Sequence, residues 1–381
     1  MRSRKNWLRS AMPFAALVLG ALPARAQTPP ATSTGGYERL TTIAIPGKPL
    51  LTYDLSVVDP TLRYYYLADR TNAGIDVIDT RTNRFLMRVT GDAHVGKFAG
   101  QLANNDFSGP NGVSPASFGR VWAGDGDSTI KIIDIFTGTV LKTVSTGGTA
   151  RVDTLSLDPA NHVMLAVNDA DSPPFITLLS TRTGSERVVG KITFDNATNG
   201  IEGVVYNPRN GLFYVNLPQV GPDQTMGGVA VIDPVAAKVL TTFPVANCQP
   251  TGLALGPRRN LLLGCAQSND AALTTLTAQV IDDFSGAVTA TLPQIGGDDQ
   301  ATYDPGAMVY FLADRYAVGG AMLGIVDGRT SAFIGNVPIG KGSHSVAADP
   351  FNNHAFVAEP ANAADAACLH GCIAVIGKPA G

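Results

Sequence analysis

A short hairpin pattern recurs along most of this chain of 381 residues. In each copy an alternating run meets a turn of the Asp-Pro type and returns as an apolar run, and β-branched and aromatic residues there suit pleated strands. The regular turns are Asp59-Pro60, Asp158-Pro159, Asn207-Pro208, Gly256-Pro257, Asp304-Pro305 and Asp349-Pro350. From Pro159 to Pro350 the turn prolines are 45 to 49 residues apart. The chain is therefore predicted to consist of repeats of nearly constant length.

An irregular seventh copy lies between the first two regular ones. It runs from Asn111 to Trp122 and spans the same 11 positions as Asp54 to Tyr65. After each hairpin comes a third apolar strand, which closes on aspartate in five copies. These closing segments are Val77-Ile78-Asp79, Ile132-Ile133-Asp134, Val231-Ile232-Asp233, Val280-Ile281-Asp282 and Ile325-Val326-Asp327. A turn and a fourth strand follow, so each repeat holds four strands.

Four strands in a repeat of about 40 to 50 residues indicate a blade of a β-propeller. The segment from Tyr37 to Pro46 has the pattern of a further strand, and the last repeat lacks its fourth. The N-terminal strand is therefore expected to complete the last blade and close the ring. We predict an all-β, seven-bladed propeller with four-stranded antiparallel blades. The predicted blades are 51–91, 108–147, 151–194, 200–246, 249–295, 298–339, and 343–376 completed by 37–47.

The first 26 residues have the features of an export signal. Basic residues precede a short apolar run, and Ala24-Arg25-Ala26 is a cleavage pattern. We predict a signal peptide over 1–26, a disordered leader over 27–36 and a single propeller domain over 37–381. The apolar run is too short to span a bilayer, so we expect a periplasmic or secreted protein without membrane insertion; an uncleaved anchor is the alternative.

Charge narrows the class of partner. Without 1–26 the chain has 23 Lys and Arg against 31 Asp and Glu, a formal charge of −8, and Arg258-Arg259 is the only adjacent basic pair. Such a chain is not expected to bind nucleic acid or an anionic membrane. We expect a small-molecule ligand and a monomer.

Four cysteines agree with an oxidising compartment. Cys248 and Cys265 flank one hairpin, and Cys368 and Cys372 flank a short loop that contains His370. The pattern allows two disulfides, or one disulfide and a metal clip made of Cys368, Cys372 and His370. Thiolate ligands are hard to keep reduced outside the cytosol, which favours the disulfides.

One position carries a polar residue in every repeat. In the six regular copies it lies six residues before the turn proline. In the irregular copy the alignment assigns the same position to Asn111. The residues are Asp54, Asn111, Asp153, Glu202, Thr251, Asp299 and His344. Because the first strand of a propeller blade lines the central channel, we expect them to form a ring at its entrance, called the mouth ring below. Carboxylates 4 Å apart repel by roughly 1 kcal/mol even in water, so either a cation or ordered water with some protonated carboxyls must offset the repulsion.

Two arginines and a long connection are predicted to lie on the same face. Arg70 and Arg315 follow the second strands of their repeats, where a guanidinium can clamp a substrate carboxylate or pair with a neighbouring acid. The connection 91–108 carries His94 and is either a lid or a solvated connector. Arg70, Arg315 and His94 are therefore candidates for substrate binding.

Two resemblances to known families add to this interpretation. The repeat resembles the YVTN-type seven-bladed β-propeller repeat of exported bacterial proteins, a group with lactonase-like members. The resemblance lies in the order of its motifs, which are Asp-Pro, a strand such as Phe213-Tyr214-Val215-Asn216, Val-Ile-Asp and Thr-Gly. It covers 37–377 and implies the fold rather than one activity. Separately, Gly109-Pro110-Asn111-Gly112-Val113 is similar to a segment of the gluconolactonase group, six-bladed enzymes that hold a divalent metal at the channel entrance with Glu and Asn or Asp. That similarity implies a ligand role for Asn111.

These features predict a metal site and two classes of function. The expected ligands are Glu202, Asp299, Asn111 and His344. Oxygen donors suit Ca²⁺ best, and His344 would also allow Zn²⁺, Mn²⁺ or Fe²⁺. Such an ion could activate water to hydrolyse a small lactone or ester, with Asp153 or Asp54 as general base. The alternative is a non-catalytic binding or scaffold propeller whose ring holds only water or a structural ion.

Overall fold

The computed structural model describes residues 33–266, 277–317 and 319–379. In this part of the chain, seven four-stranded antiparallel sheets form a ring, so the fold is the predicted seven-bladed β-propeller. The predicted signal peptide, 1–26, lies outside the described residues. No helix in the described ranges is long and apolar enough to cross a membrane.

The strands follow one another from the centre of each blade to its edge. The first half of the chain contains β1 (Glu38–Ala44); β2 to β5 of blade one (Ser56–Asp59, Tyr64–Asp69, Gly74–Asp79, Arg84–Val89); a small hairpin, β6 and β7 (Gly91–Asp92, Gly96–Lys97); β8 to β11 of blade two (Val113–Ser117, Arg120–Gly124, Thr129–Asp134, Thr139–Ser145); and β12 to β15 of blade three (Leu155–Asp158, Val163–Asn168, Phe175–Ser180, Arg187–Thr193).

The second half continues the same order. It contains β16 to β19 of blade four (Val204–Asn207, Leu212–Leu217, Met226–Asp233, Lys238–Ala246); β20 to β23 of blade five (Gln249–Leu255, Asn260–Ala266, Thr277–Asp282, Val288–Leu292); β24 to β27 of blade six (Asp298–Asp304, Val309–Asp314, Met322–Asp327, Phe333–Pro338); and β28 to β30 of blade seven (Val346–Asp349, His354–Glu359, Cys372–Gly377). Short 3-10 turns cover Asn105–Phe107 and Ala366–Cys368.

The N-terminal strand closes the ring, as predicted. Blade seven has the order β1-β30-β29-β28, and β1 pairs with β30 from Glu38 opposite Gly377 to Ala44 opposite Cys372. The last blade therefore gains its fourth strand from the start of the domain, which leaves no open edge between the first and last blades.

The recurring aspartates are explained by turn geometry. The Asp59 carboxylate accepts a hydrogen bond from the Thr61 backbone N–H at 2.8 Å, and the Asp79 carboxylate accepts one from Arg81 N–H at 2.8 Å. Aspartate forms such side-chain turns readily, so the Asp-Pro and Val-Ile-Asp motifs place hairpin turns in the blades that carry them.

The core lies between neighbouring blades. The second and third strands are buried on both faces, as in β3 and β4 of blade one, whereas outer strands such as β5 consist mostly of exposed and half-buried residues. Aromatic side chains pack between blades; the rings of Tyr65 and Phe356, for example, lie 5.7 Å apart. The apolar runs of the sequence thus serve the contacts that hold the blades together.

All four cysteines form disulfides. Cys248 and Cys265 join the start of β20 to β21, with the sulfurs 2.04 Å apart, and Cys368 is bonded to Cys372. The prediction of two disulfides is confirmed, and His370 is not part of a metal clip with these cysteines.

Part of the predicted leader packs on the domain. The Ser33 carbonyl accepts a hydrogen bond from the Asn336 backbone N–H at 2.9 Å, and Gly35 contacts Ile334 on the outer strand of blade six. Residues 33–36 therefore lie along β27, while 27–32 lie outside the described residues.

Candidate functional site

The mouth ring lies where the inner strands begin. The Asp54 N–H donates to the Ala68 carbonyl at 2.9 Å, and the Glu202 N–H donates to the Asn216 carbonyl at 3.0 Å, so each position is fixed against its own second strand. The channel encloses a cavity of about 780 Å³. Five ring residues line it: Asp54, Asp153, Glu202, Asp299 and His344.

The other two ring residues join neighbouring blades instead. Asn111 is fully buried, and its amide donates to the Val152 carbonyl at 3.2 Å. The Thr251 hydroxyl donates to the Asp298 carbonyl at 2.7 Å. Neither side chain lines the cavity, so these two polar positions serve the packing of blades against each other.

Arg70 is fully engaged by acceptors at the mouth. Its guanidinium contacts the Asp54 carboxylate, donates from Nε to Asn111 Oδ1 at 2.9 Å and donates from Nη1 to Asn105 Oδ1 at 2.8 Å. Burial raises the pKa of Asp54, and the Arg70 cation opposes that rise. Arg70 was predicted either to clamp a substrate carboxylate or to pair with a neighbouring acid, and in the structure it pairs with Asp54. The side-chain oxygen of Asn111, a predicted metal ligand, accepts hydrogen bonds from the same guanidinium.

Arg151 forms a second ion-pair cluster. Its Nε lies 3.3 Å from Asp153 Oδ1 and 3.1 Å from each oxygen of Asp169. Asp153 also accepts a hydrogen bond from the Thr154 hydroxyl at 3.1 Å. Asp153 and Asp54, the two predicted general bases, are thus both paired with arginine.

Arg315 is held more loosely than the other two arginines. Its Nη1 lies 3.3 Å from Asp299 Oδ2, and its guanidinium lies over the ring of Tyr316, 4.8 Å from the centroid. Its Nε is buried and has no hydrogen-bond partner among the described residues. About 30% of this side chain remains exposed to the channel mouth. Arg315 therefore has a donor that is not yet satisfied.

Glu202 is the mouth carboxyl without an arginine. It lines the cavity, and none of the described residues forms a hydrogen bond or ion pair with its side chain. Burial, together with the charges of Asp153 and Asp299, holds the pKa of Glu202 well above its usual range. In its protonated form the group presents an O–H donor to the cavity.

His344 is fixed in a neutral form. Its ring stacks on Tyr53 at 4.6 Å, and Nδ1 lies 2.8 Å from the Gly342 carbonyl, which can only accept, so Nδ1 carries the proton. Burial lowers the pKa of His344 despite the nearby charge of Asp299. Nε2 is left with a free lone pair, which suits a hydrogen-bond acceptor or a metal ligand.

The far half of the channel is less polar. Gln300 bridges three blades there: its amide donates to the Ser56 carbonyl at 2.6 Å, and its oxygen accepts from the Ser345 hydroxyl at 2.7 Å and from Val346 N–H at 3.1 Å. The apolar lining residues include Val57, Val58, Leu155, Val205, Leu253, Leu255, Ala301 and Ala347. The cavity is therefore charged at the mouth ring and largely apolar toward the Asp-Pro turns.

His94 lies away from the cavity. It is exposed in the β6–β7 hairpin, which packs on β11 through a hydrogen bond from the Thr143 hydroxyl to the Val95 carbonyl. The connection 91–108 contributes Asn105 to the mouth instead, through Arg70.

The four predicted metal ligands do not form a compact set. Within the described ranges, one group of three His, Cys, Asp or Glu residues has its ligand atoms within 4.8 Å of one another, namely Glu359, Cys368 and Cys372, and the two sulfurs are bonded to each other. Glu202, Asp299 and His344 line the same cavity without forming such a group. The metal site at the mouth stays a prediction.

Three further residues shape the mouth: Arg151, Asp169 and Asn105. Sequence reasoning did not select Arg151, although it lies two positions before Asp153 and the period of two along an extended segment could have placed it beside the ring. Asp169 directly follows β13, as Arg70 and Arg315 follow the second strands of their blades, so the repeat places it on the mouth face, and Asn105 belongs to the connection 91–108. Neither residue was assigned a role from the sequence.

Comparison with known proteins supports the fold alone. No protein-family model and no curated protein matches the sequence. A chain in the crystal structure of a mitotic checkpoint complex is 14% identical with a TM-score of 0.65, over 96% of this chain and 98% of that one. A chain of Kuenenia stuttgartiensis hydrazine synthase is 14% identical with a TM-score of 0.63, over 83% and 94%. The resemblance to YVTN-type and lactonase-like proteins remains a prediction.

Proposed function

We propose that this protein is a periplasmic or secreted binding propeller that takes a small molecule with a carboxylate or carbonyl group, such as a hydroxy acid or its lactone, into the channel mouth. The observation that carries the proposal is the buried Nε of Arg315, which has no hydrogen-bond partner among the described residues and lies at one 780 Å³ cavity that Glu202 also lines. A ligand that accepts from both would satisfy the buried guanidinium N–H and the carboxyl O–H together.

Arg315 differs from the other arginines in what it can still bind. Arg70 and Arg151 each donate to several oxygens, whereas Arg315 has a single carboxylate oxygen at 3.3 Å and a free Nε. A guanidinium presents a planar fork that matches a carboxylate. The apolar far half of the channel would receive the hydrocarbon part of the ligand.

Glu202 makes the proposed binding depend on pH. Its pKa is raised, so it is protonated below that pKa and can donate to the ligand. As pH rises through the raised pKa, the group becomes an anion that repels a carboxylate. Affinity for a hydroxy acid is therefore expected to fall as pH rises.

Calorimetric titration with a panel of γ- and δ-lactones and their hydroxy acids tests the proposal. Arg315→Met is expected to weaken binding of the best ligand at least tenfold, about the effect of one charged hydrogen bond. Glu202→Gln keeps an N–H donor and is expected to bind with little dependence on pH. Arg329→Met, at an exposed turn on the opposite face, is the matched control. Failure of the whole panel to bind, or unchanged affinity in Arg315→Met, would contradict the proposal.

A second candidate function is hydrolysis of the bound lactone or ester with a divalent cation at the mouth. The observation that favours it is the mutual repulsion of Glu202, Asp153 and Asp299, which a cation would relieve. His344 Nε2 is available as a further ligand, and Asp153 or Asp54 remain the candidates for the base. The cation would polarise the ligand carbonyl.

Lactone opening measured with and without chelator separates the two candidates. Hydrolysis requires turnover that is lost with EDTA, restored by Ca²⁺, Mn²⁺ or Zn²⁺, and reduced at least a hundredfold in Glu202→Gln. Binding without turnover under all of these conditions would leave the first candidate alone.

A further inference from the structure

Blade six buries two carboxylates side by side. Asp298 lies directly opposite Asp314 in the β24–β25 pair, and both residues are 0% exposed. Directly opposed residues of antiparallel strands project from the same face, so the two carboxylates are neighbours. All four of their oxygens are buried and have no side-chain hydrogen-bond partner among the described residues. The Gly296 backbone opposes the rise in the pKa of Asp314 that burial causes.

Glycines of the surrounding strands make room for this acidic pair. A Cβ at Gly264 of blade five would lie only 1.8 Å from Asp298 Oδ2, and a Cβ at Gly324 would lie 2.6 Å from Asp314 Oδ2. The interface beside the pair is an apolar cluster that includes Ile295. Arg315, next to Asp314 in sequence, pairs with Asp299 on the channel side instead. The described surroundings thus provide space for the oxygens without a compensating side chain.

Other blades compensate an acid at the same place. Blades one, two and seven also have an acid at the end of the second strand, and each of these acids contacts a cation of its own blade. The pairs are Asp69 with Arg88 at 2.9 Å, Asp125 with Lys131, and Glu359 with Arg39 at 2.7 Å. In blade two, Thr129 lies opposite Asp125, and Lys131 is two residues further along the same strand. In blade six, Met322 lies opposite Asp314, and the residue two positions further along is Gly324. Among the described residues of blade six, no cation contacts Asp314.

Blade six also adds a second acid. The residue just before the mouth ring is buried and uncharged in other blades, as at Tyr53, Val152, Ile201 and Ser343. In blade six this residue is Asp298. The repeat therefore shows two departures at one location, and both make the location more negative.

Two buried anions without partners are unfavourable, and their combined charge matches one divalent ion. A buried charge is tolerated when it is paired or coordinates a metal, and carboxylate oxygens are the donors preferred by hard divalent cations. We propose that Asp298 and Asp314 form a binding site for one divalent cation of the Ca²⁺ class in blade six, beside its interface with blade five. This site is separate from the channel mouth.

Metal binding by the mature full-length protein tests this site. The protein is stripped with EDTA and dialysed against Ca²⁺, Mg²⁺ or Mn²⁺, and bound metal and the thermal midpoint are then measured. Wild type is expected to retain an ion that is absent from the Asp298→Asn/Asp314→Asn double variant, and its midpoint should rise with cation concentration. Glu202→Gln removes the mouth carboxyl and should still bind the ion at this site.

The alternative is a pair that shares a proton. Burial and the neighbouring charge of Asp299 raise the pKa of Asp298 to about 7, so a neutral pair is available without metal. In that case wild type would bind no cation that depends on these residues, and its midpoint would not respond to metal, which would overturn the proposal. If the double variant does not fold, the wild-type titration and the single Asp314→Asn variant still decide.

Discussion

Blades two and six both bury an acid at the end of the second strand, but only the acid of blade two is paired with a cation. Asp125 of blade two meets Lys131, and both side chains are fully buried. Asp314 of blade six meets a second acid, Asp298, and Gly324 stands where the lysine would be. Both acids lie opposite the first residue of the third strand of their blade, so the difference shows that the repeat fixes where a buried charge lies, while single residues decide whether it is neutralised within the chain.

Removal of Lys131 is expected to have the largest effect. Lys131→Met leaves Asp125 as an uncompensated buried charge, which typically costs about 3 to 5 kcal/mol of unfolding free energy. Urea denaturation measures this loss. The double variant Lys131→Met/Asp125→Asn should recover most of it, and an equally unstable double variant would mean that packing, not charge, dominates at Lys131.

A smaller loss is expected where the compensating cation is half-exposed. Arg39 has 28% of its side chain exposed and donates to both oxygens of the buried Glu359 at 2.7 Å. Arg39→Met is expected to cost roughly 1.5 to 3 kcal/mol by the same measurement. Arg81→Met, which breaks the exposed pair with Asp79, is the control and should change stability little. A loss in Arg39→Met as small as in the control would contradict the role of burial.

The smallest effect, and the opposite sign, is expected at the uncompensated pair. In chelator at pH 8, Asp298→Asn should stabilise the protein by about 1 to 2 kcal/mol, because it removes one of two unpaired buried charges. The pKa of Asp298 is raised from 3.8 to about 7 in the native state, so the native protein binds more protons than the unfolded chain between those values. Metal-free wild type should therefore lose stability as pH rises through this window, and the variant should lose less.

Denaturation curves at several pH values check this prediction. Added Ca²⁺ should remove much of the pH dependence in wild type alone if the site binds metal. A stability difference between wild type and Asp298→Asn that stays constant from pH 4 to pH 7 without metal would contradict the prediction.

The fold could be predicted from the sequence because the motifs that indicate it are local and recur in most repeats. Asp59 and its counterparts form side-chain hydrogen bonds within their own turns, so each Asp-Pro motif reports a turn without reference to the rest of the chain. Closure by the N-terminal strand also followed, because the last repeat lacked a strand that only 37–47 could supply.

The residues at the channel mouth could be predicted only in part. The period located the mouth ring, but Asn111 and Thr251 occupy ring positions and bond between blades. Arg151 and Asp169 of blade three form an ion pair at the mouth that the period did not predict. His94, chosen for its place in a long connection, lies on the outside of blade two. Spacing gives the position of a backbone segment, and it does not give the direction of a side chain beyond a regular strand.

The sequence by itself thus determined the blades, their number, their turns and the way the ring closes, because these depend on contacts between residues close in the chain or one repeat apart. The tertiary structure decided which charges meet. Asp54, Arg70 and Asn105 converge from separate segments, and Asp298 faces Asp314 across strands within an interface lined by the glycines of another blade. Whether a buried carboxylate is paired depends on such distant neighbours, since the energy of a charge in a protein interior depends on the groups within a few ångströms of it rather than on its place in the sequence.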